Sequence, residues 1–139
     1  MKIAVLKESG ADEARVAATP DAVKFYIGQG HEVSVTKGAG KKANFSDADF
    51  KDAGASIATT NDTCVKGADL VLSITGGSKA LVAKLKKGAG ITGLLNPTDN
   101  PDYAKACAKA GVTAYALEYI PRISRAQAMD VLSSQSNLA

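Results

Sequence analysis

Strand-like and helix-like segments alternate along this sequence, and the helical ones close on a glycine before the next strand begins. That rhythm constrains the fold more than any other feature. Parallel strands need a crossover of a dozen or more residues, usually a helix, and glycine is the usual helix stop. Six candidate strands lie at 2–6, 32–36, 55–58, 70–74, 91–95 and 112–117. The run Leu70-Val71-Leu72-Ser73-Ile74 is almost continuously apolar, as a strand covered on both faces must be. Between the strands, Thr19 caps a helix with Pro20 at its first position, ending at Gly28 or Gly30. Ser46 caps a second that ends at Gly54. Ser78 caps a third over Lys79 to Lys87, stopped by Gly88, and Asn100-Pro101-Asp102 opens a fourth that ends at Gly111. The pattern predicts an α/β chain: a Rossmann-like, doubly wound parallel sheet with helices on both faces.

Composition sets the limits around that fold. At 139 residues, with 45% apolar and 22% charged residues, the chain fits one domain with a real core. A net charge of +3, with the lysines scattered, gives no reason to expect a nucleic-acid partner. No apolar run reaches the roughly 18 residues of a membrane span, so no direct membrane insertion is expected. The sequence opens directly on a strand, so no leader is expected. Cys64 and Cys107 stand alone, far from any metal-ligand spacing, and read as free thiols of a cytoplasmic protein. Composition shifts near residue 120. Residues 1–120 are expected to form the α/β domain, and 121–139 a loop and the start of a connector helix. The sequence ends at Ser136-Asn137-Leu138-Ala139 with no helix-stop signal, as a helix leading into a further domain would.

Two stretches match a dinucleotide-binding fingerprint by letter. These are Gly38-Ala39-Gly40-Lys41-Lys42-Ala43 and Gly88-Ala89-Gly90-Ile91-Thr92-Gly93. The fingerprint works only between a strand and the helix whose N-terminus receives the pyrophosphate. The second match runs from helix into strand. The first follows a strand, but its helix begins only near Ser46. Both are read as turn glycines. The turn Gly76-Gly77-Ser78 could hold a phosphate or be a plain turn.

The densest run of hydrogen-bonding side chains is Pro121 to Asn137. Arg122 and Arg125 fall in its loop. A last helix is expected from about Ala126, and on it Gln127, Asp130 and Ser134 share one face at i, i+3 and i+7. That mixture of donors and acceptors suits a carboxamide and a ribose. It equally suits a polar surface helix laced with Arg–Asp pairs.

Three segments carry a resemblance: Arg15-Val16-Ala17-Ala18-Thr19-Pro20, Gly38-Ala39-Gly40, and above all Pro121-Arg122-Ile123-Ser124-Arg125-Ala126-Gln127 through Ser133-Ser134-Gln135-Ser136-Asn137. Together they resemble the N-terminal part of the alpha subunit of proton-translocating NAD(P) transhydrogenases, relatives of alanine dehydrogenase. The resemblance implies that Arg122, Gln127, Asp130 and Ser133 contact the nicotinamide and ribose of NAD(H). It uses Ser133 where the helix-face argument favours Ser134. It implies no catalytic side chain and no metal, since hydride passes directly from NADH to NADP+ held on a partner domain. It further implies NADP-binding and membrane domains as partners, a homodimer of alpha subunits, and a cytoplasmic location peripheral to the inner membrane.

The alanine dehydrogenase branch needs an early Arg, a Lys after the fourth strand and a His after the fifth. Arg15 answers the first. The fourth strand runs into Thr75-Gly76 and the fifth into Asn96-Pro97, and His31 precedes the second strand. Acid–base chemistry on an oxo acid then has no agent, and Arg15 reads as structural or interfacial. A third reading is a non-catalytic docking or dimerisation module on the same fold. Without a pyrophosphate loop, the 139-residue chain alone is expected to bind NADH weakly and to be inactive.

Overall fold

In a computed structural model, which describes residues 1–136, six strands form one sheet in the order β3-β2-β1-β4-β5-β6, and every adjacent pair is parallel. They are β1 (Lys2–Val5), β2 (Glu32–Thr36), β3 (Ser56–Ala58), β4 (Leu70–Leu72), β5 (Gly90–Gly93) and β6 (Thr113–Ala116). The expected doubly wound sheet is therefore present. The order reverses between β1 and β4, where Val5 pairs with Leu72 on one side and Val35 on the other.

Side-chain alternation along the strands divides the core into two layers. Ile3, Val5, Val33, Val35 and Leu72 face one side. There they meet Val23 of α1 (Pro20–Gly28) and Phe50 of α2 (Asp47–Asp52). Ala4, Leu6, Val71 and Ile91 face the other. That layer is closed by Cys64 of α3 (Asn61–Cys64), Leu81 and Val82 of α4 (Lys79–Val82), and Tyr103 and Cys107 of α5 (Pro101–Ala110). The caps act as the sequence predicts. Thr19 Oγ1 accepts the Ala22 amide at 3.3 Å, and Ser46 with Asp49 forms a reciprocal capping box.

Three local expectations are corrected. Helix α3 is absent from the expected pattern, because four residues are too few for an apolar period; its signal is the reciprocal Thr60–Thr63 cap. Helix α4 stops at Val82 rather than Lys87. Beyond it the bonds shorten to three-residue turns, Lys84 to Leu81 and Leu85 to Val82, which bury Leu85. The last helix is not continuous from Ala126. Residues Ser124–Met129 form a 3-10 turn, the backbone extends at Asp130 (ψ 94°), and α6 spans Val131–Ser136. The break has a cause: Asp130 Oδ1 accepts the Ser133 amide at 3.0 Å, so this carboxylate starts a new helix instead of continuing the old one. The expected continuation through Asn137, Leu138 and Ala139 lies outside the described residues.

The glycine matches play packing roles. A Cβ on Gly40 would stand 2.7 Å from the Phe50 ring, and one on Gly93 would stand 2.7 Å from the Ser73 carbonyl oxygen. The Gly38 amide donates to Asp47 Oδ1 at 2.7 Å, so a carboxylate of the chain already takes the bond a phosphate would need. Among the described residues no helix is long and apolar enough to cross a membrane.

Candidate functional site

The carboxyl ends of the strands gather the polar loops, and two glutamates organise them. Glu8, just past β1, reaches the end of β4. Its Oε1 accepts from Ser73 Oγ (2.9 Å) and the Ile74 amide (2.8 Å), and its Oε2 from the Thr75 amide (3.2 Å) and hydroxyl (2.6 Å). An anion-binding concavity at the sheet's switch point is thereby filled from within the chain. Glu118 does the same at the end of β5, accepting the amides of Leu95 (3.2 Å) and Asn96. Gly76, by contrast, donates its amide to Ser73 Oγ, and Ser78 caps α4. That turn is accounted for by local bonds.

Glu118 sits in a short 3-10 turn, Leu117–Tyr119, from which the chain passes into the polar segment that begins at Pro121. Here the structure brings together all four residues implied by the resemblance. Arg122, Gln127, Asp130 and Ser133 line one shallow depression of about 260 Å³, with Ile123 and Ser124 completing its wall. Arg122 and Gln127 are exposed, while Asp130 is buried. The Asp130 carboxylate accepts both the Ser133 amide and the Ser133 hydroxyl, the latter at 2.6 Å. Those two bonds, with the positive charge of Arg122 adding to them, hold its carboxyl below the usual carboxylate range. Ser133 is therefore the serine paired with Asp130. Ser134 contributes only its backbone amide, to the Asp130 carbonyl at 3.1 Å. The helix-face argument favours Ser134 because it assumes one unbroken helix, and the break at Asp130 changes the spacing.

The depression offers a cation, a carboxamide with donor and acceptor, a carboxylate held charged, and a hydroxyl. A nicotinamide carboxamide needs one donor and one acceptor, and a ribose needs acceptors for its hydroxyls. The donor set fits both.

A larger cleft of about 500 Å³ lies beside it, between the ends of β4 and β5 and the underside of α6. Arg15, Leu72, Ile74, Thr92, Val131 and Gln135 are among its walls. The Arg15 guanidinium is already engaged. Its Nε and Nη2 each donate to Glu13 at 2.7 Å, a two-pronged pairing that holds the Glu13 carboxyl below its ordinary range. Its Nη1 donates to Gln135 Oε1 at 3.1 Å. Thr75 and Asn96 stand where an oxo-acid enzyme of this branch would carry Lys and His. The Thr75 hydroxyl is bonded to Glu8, and the Asn96 amide donates to Asp99 at 2.7 Å. Sequence reasoning missed Glu8, Glu13, Glu118 and Gln135. Each acts through a partner distant in sequence, or through loop geometry that no local pattern reports.

An all-parallel sheet in this order, with polar loops collected at its carboxyl ends, defines the doubly wound α/β class, in which ligands bind outside those ends. Within that class the chain belongs to the family described as alanine dehydrogenase/PNT, N-terminal domain, whose profile matches residues 4–139. It is 44% identical, over its full length, to the first of the polypeptides that make up the NAD(P) transhydrogenase alpha subunit of Rhodospirillum rubrum, and covers 38% of that protein. It is 37% identical to the alanine dehydrogenase of Halomonas elongata, with 86% of this chain and 32% of the enzyme covered. Among solved structures, transhydrogenase from Sinorhizobium meliloti matches 99% of this chain and 41% of that one, with a TM-score of 0.93 and 37% identity. An L-alanine dehydrogenase matches 90% of this chain and 34% of that one, with a TM-score of 0.80 and 25% identity. The chain thus spans under half the length of these relatives.

Proposed function

We propose that this chain is the NAD(H)-side domain of an NAD(P) transhydrogenase alpha subunit. In that reading residues 1–120 form the α/β body, and 121–139 contact nicotinamide and lead towards a separate NAD-binding domain. The observation that carries the reading is the convergence of Arg122, Gln127, Asp130 and Ser133 on one depression. The likeness to transhydrogenase subunits over the whole chain supports it, as does the Arg15 fork being directed at Glu13 rather than left free for an oxo acid.

The chemistry that a bound nicotinamide dinucleotide supplies is direct hydride transfer, here from NADH to NADP+ on a partner domain. Such a transfer asks for no acid or base from the protein; it asks for aligned rings and excluded water. The residues of this chain therefore orient. Gln127 presents an amide donor and acceptor to a carboxamide. Asp130, kept charged by Ser133, accepts from a ribose hydroxyl or an amide N–H. Arg122 fixes the loop's electrostatics over the same depression and supplies donors. In the complete enzyme the expected partners are the NADP-binding and membrane domains and a second alpha subunit. The assembly would then be peripheral to the inner membrane, with hydride transfer coupled to proton translocation.

The test is Arg122→Ala in the complete enzyme. Its expected result is a weaker affinity for NADH and slower transfer at unchanged thermal stability. Unchanged affinity and rate would refute the assignment. The 139-residue chain alone is expected to bind NADH more weakly than micromolar, since about −8 kcal/mol exceeds what a few polar contacts without a phosphate site supply. Calorimetry finding micromolar binding would contradict that.

A further inference from the structure

The helix α6 carries Ser133 and begins at Asp130, yet none of its six residues is fully buried. A helix of this length does not hold itself in water. Val131 is half-buried against the cleft and Leu132 is exposed. The long-range side-chain hydrogen bond to this helix comes from Arg15, whose Nη1 donates to Gln135 across 120 positions of sequence.

That donor is itself fixed. Glu13 takes the Nε and Nη2 prongs of Arg15 as well as the Arg15 backbone amide at 3.0 Å. The loop carrying Glu13 is held by Lys42, whose ammonium donates to the carbonyls of Gly10 (3.0 Å) and Ala11 (2.8 Å). A rigid path therefore runs from the loop after β2, through Glu13 and Arg15, to the middle of α6. Val131 and Gln135, one turn apart, face the cleft together, and Asp130 and Ser133 line the neighbouring depression.

We propose that Arg15 is a positioning residue for the nicotinamide-side site: anchored by Glu13, it grips Gln135 and holds α6 in the register that presents Asp130 and Ser133. This rests on the functional reading above and adds to it a role for an arginine outside the depression. The guanidinium plane suits the task, because one rigid fork spans a carboxylate and an amide at once, which an ammonium cannot do. Without the grip, α6 spends part of its time displaced. The apparent affinity for NADH then falls by the fraction of molecules that remain competent, while bound molecules react as before.

The test is Arg15→Met, which keeps the aliphatic stem and removes the fork. Amide exchange across residues 131–136 of the chain is expected to quicken about tenfold, with the core strands unchanged. In the complete enzyme the KM for NADH is expected to rise about fivefold with kcat retained, the effect of a competent fraction near one fifth. Arg15→Lys is expected to behave like Arg15→Met. Gln135→Glu, which meets the same guanidinium with a carboxylate, is expected to keep wild-type exchange and KM. Unchanged exchange in Arg15→Met overturns the clamp. Faster exchange with an unchanged KM overturns the positioning role. A KM unmoved in Arg122→Ala as well places the fault in the nucleotide reading, since exchange reports on the clamp without nucleotide.

Discussion

The sheet body, through β6, and the segment after it are held together by different physics. In the body, Val5, Val23, Phe50, Val71 and Ile91 are fully buried, and apolar area removed from water is what holds the layers. In residues 117–136 only Ala126 and Asp130 are buried, while Tyr119, Ile123, Met129 and Leu132 are exposed. That segment is attached by directed polar bonds: Glu118 to the amides after β5, Arg15 to Gln135, Asp130 to Ser133. The candidate site sits on the polar-tethered part. Its geometry is therefore adjustable by single hydrogen bonds, and substitutions there can alter binding while leaving the fold intact.

That contrast can be broken most forcefully in the core. Phe50→Ala is expected to destabilise the chain by about 3–5 kcal/mol, read by urea denaturation. A loss below about 1 kcal/mol would mean that the layer around α2 is loosely packed. Next comes the seam between the two regimes. Glu8→Ala leaves the amides of Ile74 and Thr75 without their acceptor and is expected to cost about 1–3 kcal/mol. A change within experimental error would show the concavity at the switch point to be indifferent to its occupant.

Acid titration sharpens the comparison further. The Asp130 carboxyl is held below its ordinary value by Ser133, so its stabilising effect is complete above the unfolded value of about 4 and is lost as pH falls through the folded one. Below pH about 4, amide exchange at 133–136 is expected to quicken before the core strands respond, and simultaneous loss would contradict the separation. The smallest effect is expected at Leu132→Ser, on the exposed side of α6, within about 0.5 kcal/mol. A larger loss in a melting experiment would reveal apolar contacts for α6 that the contrast denies.

The body was largely legible from sequence because strand and helix periods, caps and glycine stops are local signals. Thr19, Ser46 and Ser78 cap the helices that their positions announce, and the six strands fall where the apolar runs lie. What escaped was decided by non-local or very short-range bonds. Helix α3 is four residues held by a threonine pair. The early end of α4 follows from the burial of Leu85. The break before α6 comes from one carboxylate choosing an amide three residues on. In the candidate site, residue types and proximity were legible, and the serine was not, since Ser133 and Ser134 differ only by that break. The roles of Glu8, Glu118 and Gln135 required the three-dimensional pairing of strand ends.

The central claim is that nicotinamide is met by the segment 122–133 rather than by either glycine-rich match. The most direct measurement is an NMR titration of the 139-residue chain with reduced nicotinamide mononucleotide at millimolar concentration, where binding of only about −4 kcal/mol is visible. Saturable shifts centred on Arg122, Gln127, Asp130 and Ser133 are the predicted result. Shifts centred on Gly38–Ala43 or on Gly88–Gly93, or none at all, would contradict it.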